Sequence, residues 1–293
     1  MKDLTASRAV DSHRSGDTPQ LGSLTQGVEV TATGTRYRVW SEHPAVSLII
    51  YREDGTVART IRMEPVGGGF FTASDQQGRA GDLYKYQFRD FSFPDPTTRF
   101  QPHGVHGPSI VVANQFRWTD DNWESPPLRD LIIYELHLGT FTGEGTFTAA
   151  AQKLAELTQL GINAIEIMPV ADFPGGRNWG YDGVCAYAPA RIYGTPDEFR
   201  KLIDTAHAHG LAIILDVVYN HFGPEGNYLA AFHSQYFHPS HKTPWGAAFN
   251  FELPPVRHFF LNNIAYWMDE FHGAAASGQK LGRKIQASPA RRD

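Results

Sequence analysis

At 293 residues the chain has room for about two domains, and 31 acidic against 26 basic side chains give a formal charge of −5, which argues against nucleic acid as a partner. A single cysteine, Cys185, excludes an internal disulfide and suits a reducing cytoplasm, and no apolar run approaches the ~18 residues of a membrane span. Aromatic residues make up 13%, a content that suits either stacking on sugar faces or a well-filled core.

Residues 1–20 are polar, carry no basic-then-apolar leader and are expected as a disordered tail. From 21 to 113 the pattern is short strands between turns. Tyr37, Val39 and Leu48-Ile-Ile-Tyr51 supply aromatic and β-branched content, and Asp54-Gly55 predicts a tight hairpin. Gly67-Gly-Gly69 breaks the next pair, and Asp82 to Phe88 alternates in strand fashion. Several strands without a helical period predict a small immunoglobulin-like β-sandwich. Phe93 to Pro108, rich in Pro and Gly, reads as an extended linker along a domain interface. Residues 114–130, with Trp118 and Trp123, form a second irregular linker ending at Pro126-Pro127.

From Leu131 the pattern changes to alternating strand and helix. Leu131-Ile-Ile-Tyr134 opens the first buried strand, and Thr146 caps a helix through Leu154, Leu157 and Leu160 that Gly161 ends. Ile162 to Val170 is the second strand. Thr195-Pro196-Asp-Glu starts the next helix, which runs through Phe199, Leu202, Ile203 and Ala206 to Gly210. Leu211 to Val218 is the third strand, and Val256, Phe259, Phe260, Ile264, Trp267, Met268 and Phe271 mark an amphipathic helix. That makes three βα units within residues 131–272. A TIM (β/α)8 barrel needs eight, typically about 250 residues, so the expected fold is a β-sandwich followed by the first three βα units of an incomplete barrel. Residues 273–293 change character: five basic residues face only Asp293, a local +4 that leaves −9 on the rest.

The third strand runs into Asp216-Val-Val-Tyr-Asn-His221 and then Phe222-Gly-Pro-Glu-Gly-Asn-Tyr228, delivering a carboxylate, an amide and an imidazole to one strand end. Parallel α/β barrels build their active sites at such C-terminal strand ends. The residues alone leave a plain alternative: Asp216 as a loop cap, His221 as a satisfied loop histidine and Tyr181 as a core aromatic. Glu135 and His137 stand two residues apart on the first strand, and one of them is expected to be structural. His233, His238 and His241 lack strict ligand spacing and read as an exposed loop, not a metal site; no metal or cofactor is expected.

The DVVYNH run resembles the first conserved region of the α-amylase superfamily, the retaining α-glucan enzymes. The narrower HFGPEGNYL continuation is similar to the malto-oligosyltrehalose trehalohydrolase family, as are Arg99 to Ser109 (RFQPHGVHGPS), Tyr134 to Phe141, Met168 to Pro174, Asn178 to Gly183 and Thr243 to Ala248. Glycogen branching enzymes share the WGYD and DVVxNH elements. The resemblance covers about Leu21 to His272. It implies a carbohydrate-binding-module-like sandwich that packs against the barrel, with direct glucan binding as the alternative. It implies that His221 hydrogen-bonds the glucose in subsite −1, that Tyr181 stacks beneath that ring and that Asp216 supports the charge network. Asn220 then shapes the loop, Trp179 lines the cleft, Asp182 positions Tyr181 or arginine partners, and Glu225 helps select trehalose at the leaving side. The implied substrate is an α-1,4-glucan or maltooligosyl-trehalose.

The family's G-x-R-x-D nucleophile strand is not found after His272, and no catalytic carboxyl pair is assigned. Residues 273–293 are expected to reflect a shifted frame or truncation, with a native basic tail as the competing reading. The chain is therefore expected to be inactive alone and to expose an open sheet edge. A branching-enzyme relative and a non-catalytic glucan-binding protein are the alternatives.

Overall fold

The computed structural model describes residues 26–113 and 115–272; the expectations for residues 1–20 and 273–293 lie outside the described residues. Short strands fill the first part: β1 (Gly27–Thr31), β2 (Gly34–Trp40), β3 (Ser47–Tyr51), β4 (Val57–Arg62), β5 (Glu64–Gly67), β6 (Phe70–Asp75), β7 (Leu83–Phe88), β8 (Phe91–Phe93) and β9 (Ser109–Ile110). They pair antiparallel into two sheets, β1-β2-β6-β5 and β4-β3-β7-β8, with β9 also on β7. Alternation selects the inner faces. Tyr37 and Val39 of β2 are buried while Arg38 between them is half-buried and Arg36 before them is exposed, and Tyr84, Tyr86 and Phe88 of β7 are buried. The sheets meet where the Tyr37 and Tyr84 rings lie edge-on, 5.2 Å apart. The predicted β3–β4 turn forms, with Asp54 Oδ1 accepting from the Thr56 amide at 2.9 Å.

The segment expected as a linker from Phe93 to Pro108 is held by the sandwich. Buried Asp95 accepts from the Tyr84 hydroxyl (2.8 Å) and the Thr97 amide (2.7 Å), its own amide donates to Ser109 Oγ, and Ser109 and Ile110 return to β7 as a strand. A buried carboxylate needs several donors, and only a folded-back chain supplies them.

The second part contains β10 (Ile133–Leu136), α1 (Leu138–Phe141), α2 (Phe147–Ala151), α3 (Leu154–Gln159), β11 (Ala164–Ile167), β12 (Ala171–Asp172), β13 (Cys185–Pro189), α4 (Pro196–Ala208), β14 (Ala212–Leu215), α5 (Leu229–Phe232), β15 (Phe237–Thr243), β16 (Gly246–Phe249) and α6 (Pro254–Phe271). β10, β11 and β14 pair parallel in chain order, with Leu136, Ile167 and Leu215 in register at their C-terminal ends. The strands are shorter than the apolar runs predicted. β12–β13 and β15–β16 are antiparallel hairpins that the apolar pattern did not disclose.

Several expectations are corrected. The first strand is not buried: Ile133, Tyr134 and Glu135 are exposed and Leu136 alone of the four is buried, because among the described residues nothing covers this edge of the sheet. The helix expected from Thr146 to Leu160 is two helices. Thr146 caps the first as predicted, accepting from the Ala149 amide at 3.2 Å. Gln152 and Lys153 then bond three residues back, to Ala149 and Ala150, a 3₁₀-type tightening that resets the axis before α3. In α6, Ile264 is 41% exposed and Asn263 takes the buried place beside Tyr266 and Trp267. Cys185 is buried at the start of β13.

α5 and the turn after it lock the two parts together. The Glu42 amide and Ser41 Oγ both donate to the Phe232 carbonyl (3.0 and 3.1 Å), and the Tyr236 hydroxyl donates to Gln26 Oε1 at 3.1 Å. His233 is not an exposed loop residue: it stacks on Trp40 with ring centres 3.8 Å apart. His238 and His241 stack on each other within β15. Residues 115–130 are anchored equally firmly. Trp118 stacks on His272 and Trp123 on His207, while Asp120 accepts from both histidines.

Candidate functional site

Asp216 leaves the end of β14. Its amide donates to the Ile167 carbonyl at 2.9 Å, one step beyond the strand, so the half-buried carboxylate emerges where the parallel sheet stops. It lines a small cavity with Pro169, Ala186, Tyr219, Asn263 and Trp267. The far wall of that cavity is tied by α6. The Tyr219 hydroxyl donates to Asn263 Oδ1 at 2.5 Å, and Asn263 Nδ2 donates to the Ala186 carbonyl at 2.9 Å, which Trp267 Nε1 also reaches at 3.2 Å. Burial pushes the Tyr219 phenol well above its ordinary range, so it acts as a donor at any physiological pH.

His221 is buried, and its Nδ1 lies 2.9 Å from Oδ1 of exposed Asn220. The amide oxygen accepts, so the neutral ring carries its lone pair on Nε2. Trp245 stands over this site from the tip of the β15–β16 hairpin, 65% exposed and edge-on to His221 at 6.2 Å between ring centres. Trp245 was not singled out from the sequence, although a Thr-Pro-Trp-Gly turn presenting a large exposed aromatic was a usable signal.

The loop between β12 and β13 carries the aromatic candidates. Asn178 Oδ1 accepts from the amides of Gly180 (2.6 Å) and Asp182 (3.3 Å), and its Nδ2 reaches Asp182 Oδ2 at 3.4 Å. Gly180 has φ of +101°, and a Cβ there would lie 2.5 Å from the Pro169 carbonyl oxygen. Only glycine fits. His137, at the end of β10, donates from Nε2 to the Asn178 carbonyl at 2.6 Å, and its ring centre is 5.3 Å from that of Trp179. Of Glu135 and His137, Glu135 is exposed and His137, just past the strand end, is the one that holds this loop. The result is a presented pair: Trp179 is 64% and Tyr181 47% exposed, so Tyr181 is not a core aromatic. The Gly223 amide donates to the Gly183 carbonyl at 3.2 Å and joins this loop to the one after His221.

Glu225 sits apart from these groups in its contacts. Its Oε1 is 3.2 Å from His106 Nε2, and His106 Nδ1 is 2.6 Å from the Tyr228 hydroxyl. Gly226, at φ +83°, packs so closely that a Cβ would meet Val105 Cγ2 at 2.4 Å. The Asp182 carboxylate is engaged inside its own loop, and the Asp216 backbone amide is engaged by the ladder to β11. Among the described residues no group of three or more His, Cys, Asp or Glu is placed to hold a metal ion, and no helix is long and apolar enough to cross a membrane.

A parallel sheet whose strand ends present an acid, a histidine and exposed aromatics defines a class of α/β active-site architecture. Residues 98–273 match the family model of the alpha amylase catalytic domain, and the chain belongs to the α-amylase family. It is 46% identical over 253 residues to malto-oligosyltrehalose trehalohydrolase of Saccharolobus solfataricus, covering 85% of this chain and 44% of that one. It is 32% identical to the 1,4-alpha-glucan branching enzyme GlgB of Corynebacterium efficiens, covering 86% and 38%. In structure it resembles a Salmonella typhimurium protein described as an alpha amylase, with a TM-score of 0.81 at 40% identity over 86% of this chain and 43% of that one. The chain thus spans less than half the length of these relatives.

Proposed function

We propose that this chain is part of a retaining α-glucan glycosidase that cleaves the α-1,4 bond releasing trehalose from maltooligosyl-trehalose. The observation that carries this reading is the 46% identity to a protein named for that activity, sustained across sandwich and sheet alike, against 32% to a branching enzyme. In this reading residues 21–113 are an immunoglobulin-like sandwich, 114–130 a connection, and 131–272 the first three βα units of a (β/α)8 barrel. His221 hydrogen-bonds hydroxyls of the glucose next to the scissile bond, Tyr181 stacks beneath that ring, and Asp216 supplies fixed negative charge near the developing oxocarbenium ion. Asn220 orients His221, Trp179 lines the cleft, and Asp182 braces the Tyr181 loop. Its partner is an α-1,4-glucan or maltooligosyl-trehalose, and its compartment a reducing cytoplasm.

Retaining hydrolysis needs two carboxyl groups about 5–5.5 Å apart across the bond. No such pair is assigned among the described residues, so the 293-residue chain by itself is expected to show no turnover. Maltotriosyl-trehalose incubated with the chain tests this: trehalose release that His221→Ala abolishes would overturn it. Product analysis of a version extended through the remaining strands separates the main readings. Free trehalose supports hydrolysis, and new α-1,6 branches would support the branching reaction.

A further inference from the structure

We propose a second α-glucan-binding site at the junction of the sandwich and the parallel-sheet part, formed by Phe91, Phe93, His106, Glu225 and Tyr228. It rests on the proposed function only for the class of ligand. A lone exposed hydrophobic residue is ordinary. Phe91 is not alone. It is 65% exposed on β8, and its ring lies 6.5 Å from that of Phe93, which lies 5.0 Å from that of Tyr228. The aromatic surface therefore crosses from one part of the molecule to the other.

A polar edge borders it. His106 bridges Tyr228 and Glu225, at 2.6 Å through Nδ1 and 3.2 Å through Nε2. With Nε2–H donating to the carboxylate, Nδ1 accepts from the phenol, which turns the phenolic oxygen into an acceptor for an outside donor. Glu225 keeps its second oxygen as another acceptor. The histidine and the acid are reachable, with the His106 and Glu225 side chains 54% and 67% exposed. Flat apolar rings beside fixed acceptors match a pyranose, whose C–H face is apolar and whose rim carries hydroxyl donors. The site is also rigid. Gly226 packs against Val105 with no room for a side chain, and Phe93 is stacked on Phe88 at 5.2 Å, so little ordering remains to be done on binding. The ligand is an α-linked glucose oligosaccharide, either the maltooligosaccharide arm or the trehalose end.

The test is affinity electrophoresis of the full chain in gels containing glycogen, with Phe91→Ala and Glu225→Gln. Phe91 and Glu225 are exposed, and an unchanged thermal midpoint will show that the variants fold. Phe91→Ala is expected to weaken retardation about five-fold. Glu225→Gln should weaken it several-fold. Adding trehalose or maltotriose as competitor assigns which end the junction takes. Retardation that neither Phe91→Ala nor Glu225→Gln weakens, or none at all for the parent chain, would overturn the site. The hydrolysis reading would survive that result, since product analysis of the extended version tests it independently.

Discussion

Tyr219 and Asn263 are joined by a 2.5 Å hydrogen bond across 44 residues of chain, and through it α6 sets the position of the loop that carries Asp216 and His221. Asn263 is fully buried and uses both ends of its amide, accepting from Tyr219 and donating to the Ala186 carbonyl. Asn263→Ala leaves a buried hydroxyl without its acceptor and a carbonyl with only Trp267. Each stranded group costs roughly 1–3 kcal/mol. The expected outcome is a loss of about 2–4 kcal/mol, visible as a lower urea midpoint with little change in slope.

The Gly180 position makes a second, sharper demand. Its φ of +101° and the 2.5 Å approach to the Pro169 oxygen leave no place for a methyl group. Gly180→Ala is expected to cost about 1–2 kcal/mol or more from the backbone alone, and to loosen the loop holding Trp179 and Tyr181. Faster tryptic cleavage after Arg177, which is exposed at the start of that loop, will report it. Cleavage at the parent rate would show that the loop accommodates the change.

Asp172 gives a pH dependence with a definite sign. Burial pushes its carboxyl from 3.8 up to about 6, although Arg191, 3.0 Å away, pulls the other way. Its Oδ2 has no hydrogen-bond partner among the described residues, which is why burial wins. The folded chain therefore holds this proton more tightly than the unfolded chain. Its contribution is fully present below about pH 4 and is lost as pH rises through about 6, a swing on the order of 3 kcal/mol. Asp172→Asn should remove that slope, so the variant gains on the parent between pH 4 and 7. Parallel stability curves for the two would sink this account.

His207 has the opposite sign. Burial lowers its imidazole below the ordinary 6.5, with Asp120 opposing. Neutral His207 donates from Nδ1 to Asp120 and leaves Nε2 buried without a partner. Its stabilisation is present above pH 6.5 and is lost as pH falls below that value. Since Trp123 stacks on His207 at 3.8 Å, acidification should shift Trp123 emission toward that of exposed indole. His207→Phe, which keeps the stack without the charge, should abolish the shift.

The helix that bears His207 is a case where local chemistry sufficed. Thr195 accepts from the Glu198 amide at 3.3 Å, and Glu198 Oε2 accepts from the Thr195 amide at 2.7 Å; both partners lie within three residues. Thr195→Ala should cost about 1 kcal/mol, read as a lower thermal midpoint.

The capping box, the alternation of Tyr37, Val39, Tyr84 and Tyr86, the three parallel strands and the strand-end placement of Asp216 and His221 were legible in the sequence, because each is encoded by neighbours a few residues apart. The break between α2 and α3 was not, since a 3₁₀ turn costs too little to leave a mark in composition. Nor were the exposed face of β10, the pairing of Glu225 with His106 across 119 residues, the Asn263 clamp or Trp245 above His221. Those depend on which distant backbone segments are brought together, and a side chain's partner across the fold is fixed by the path of the whole chain, not by the residues beside it.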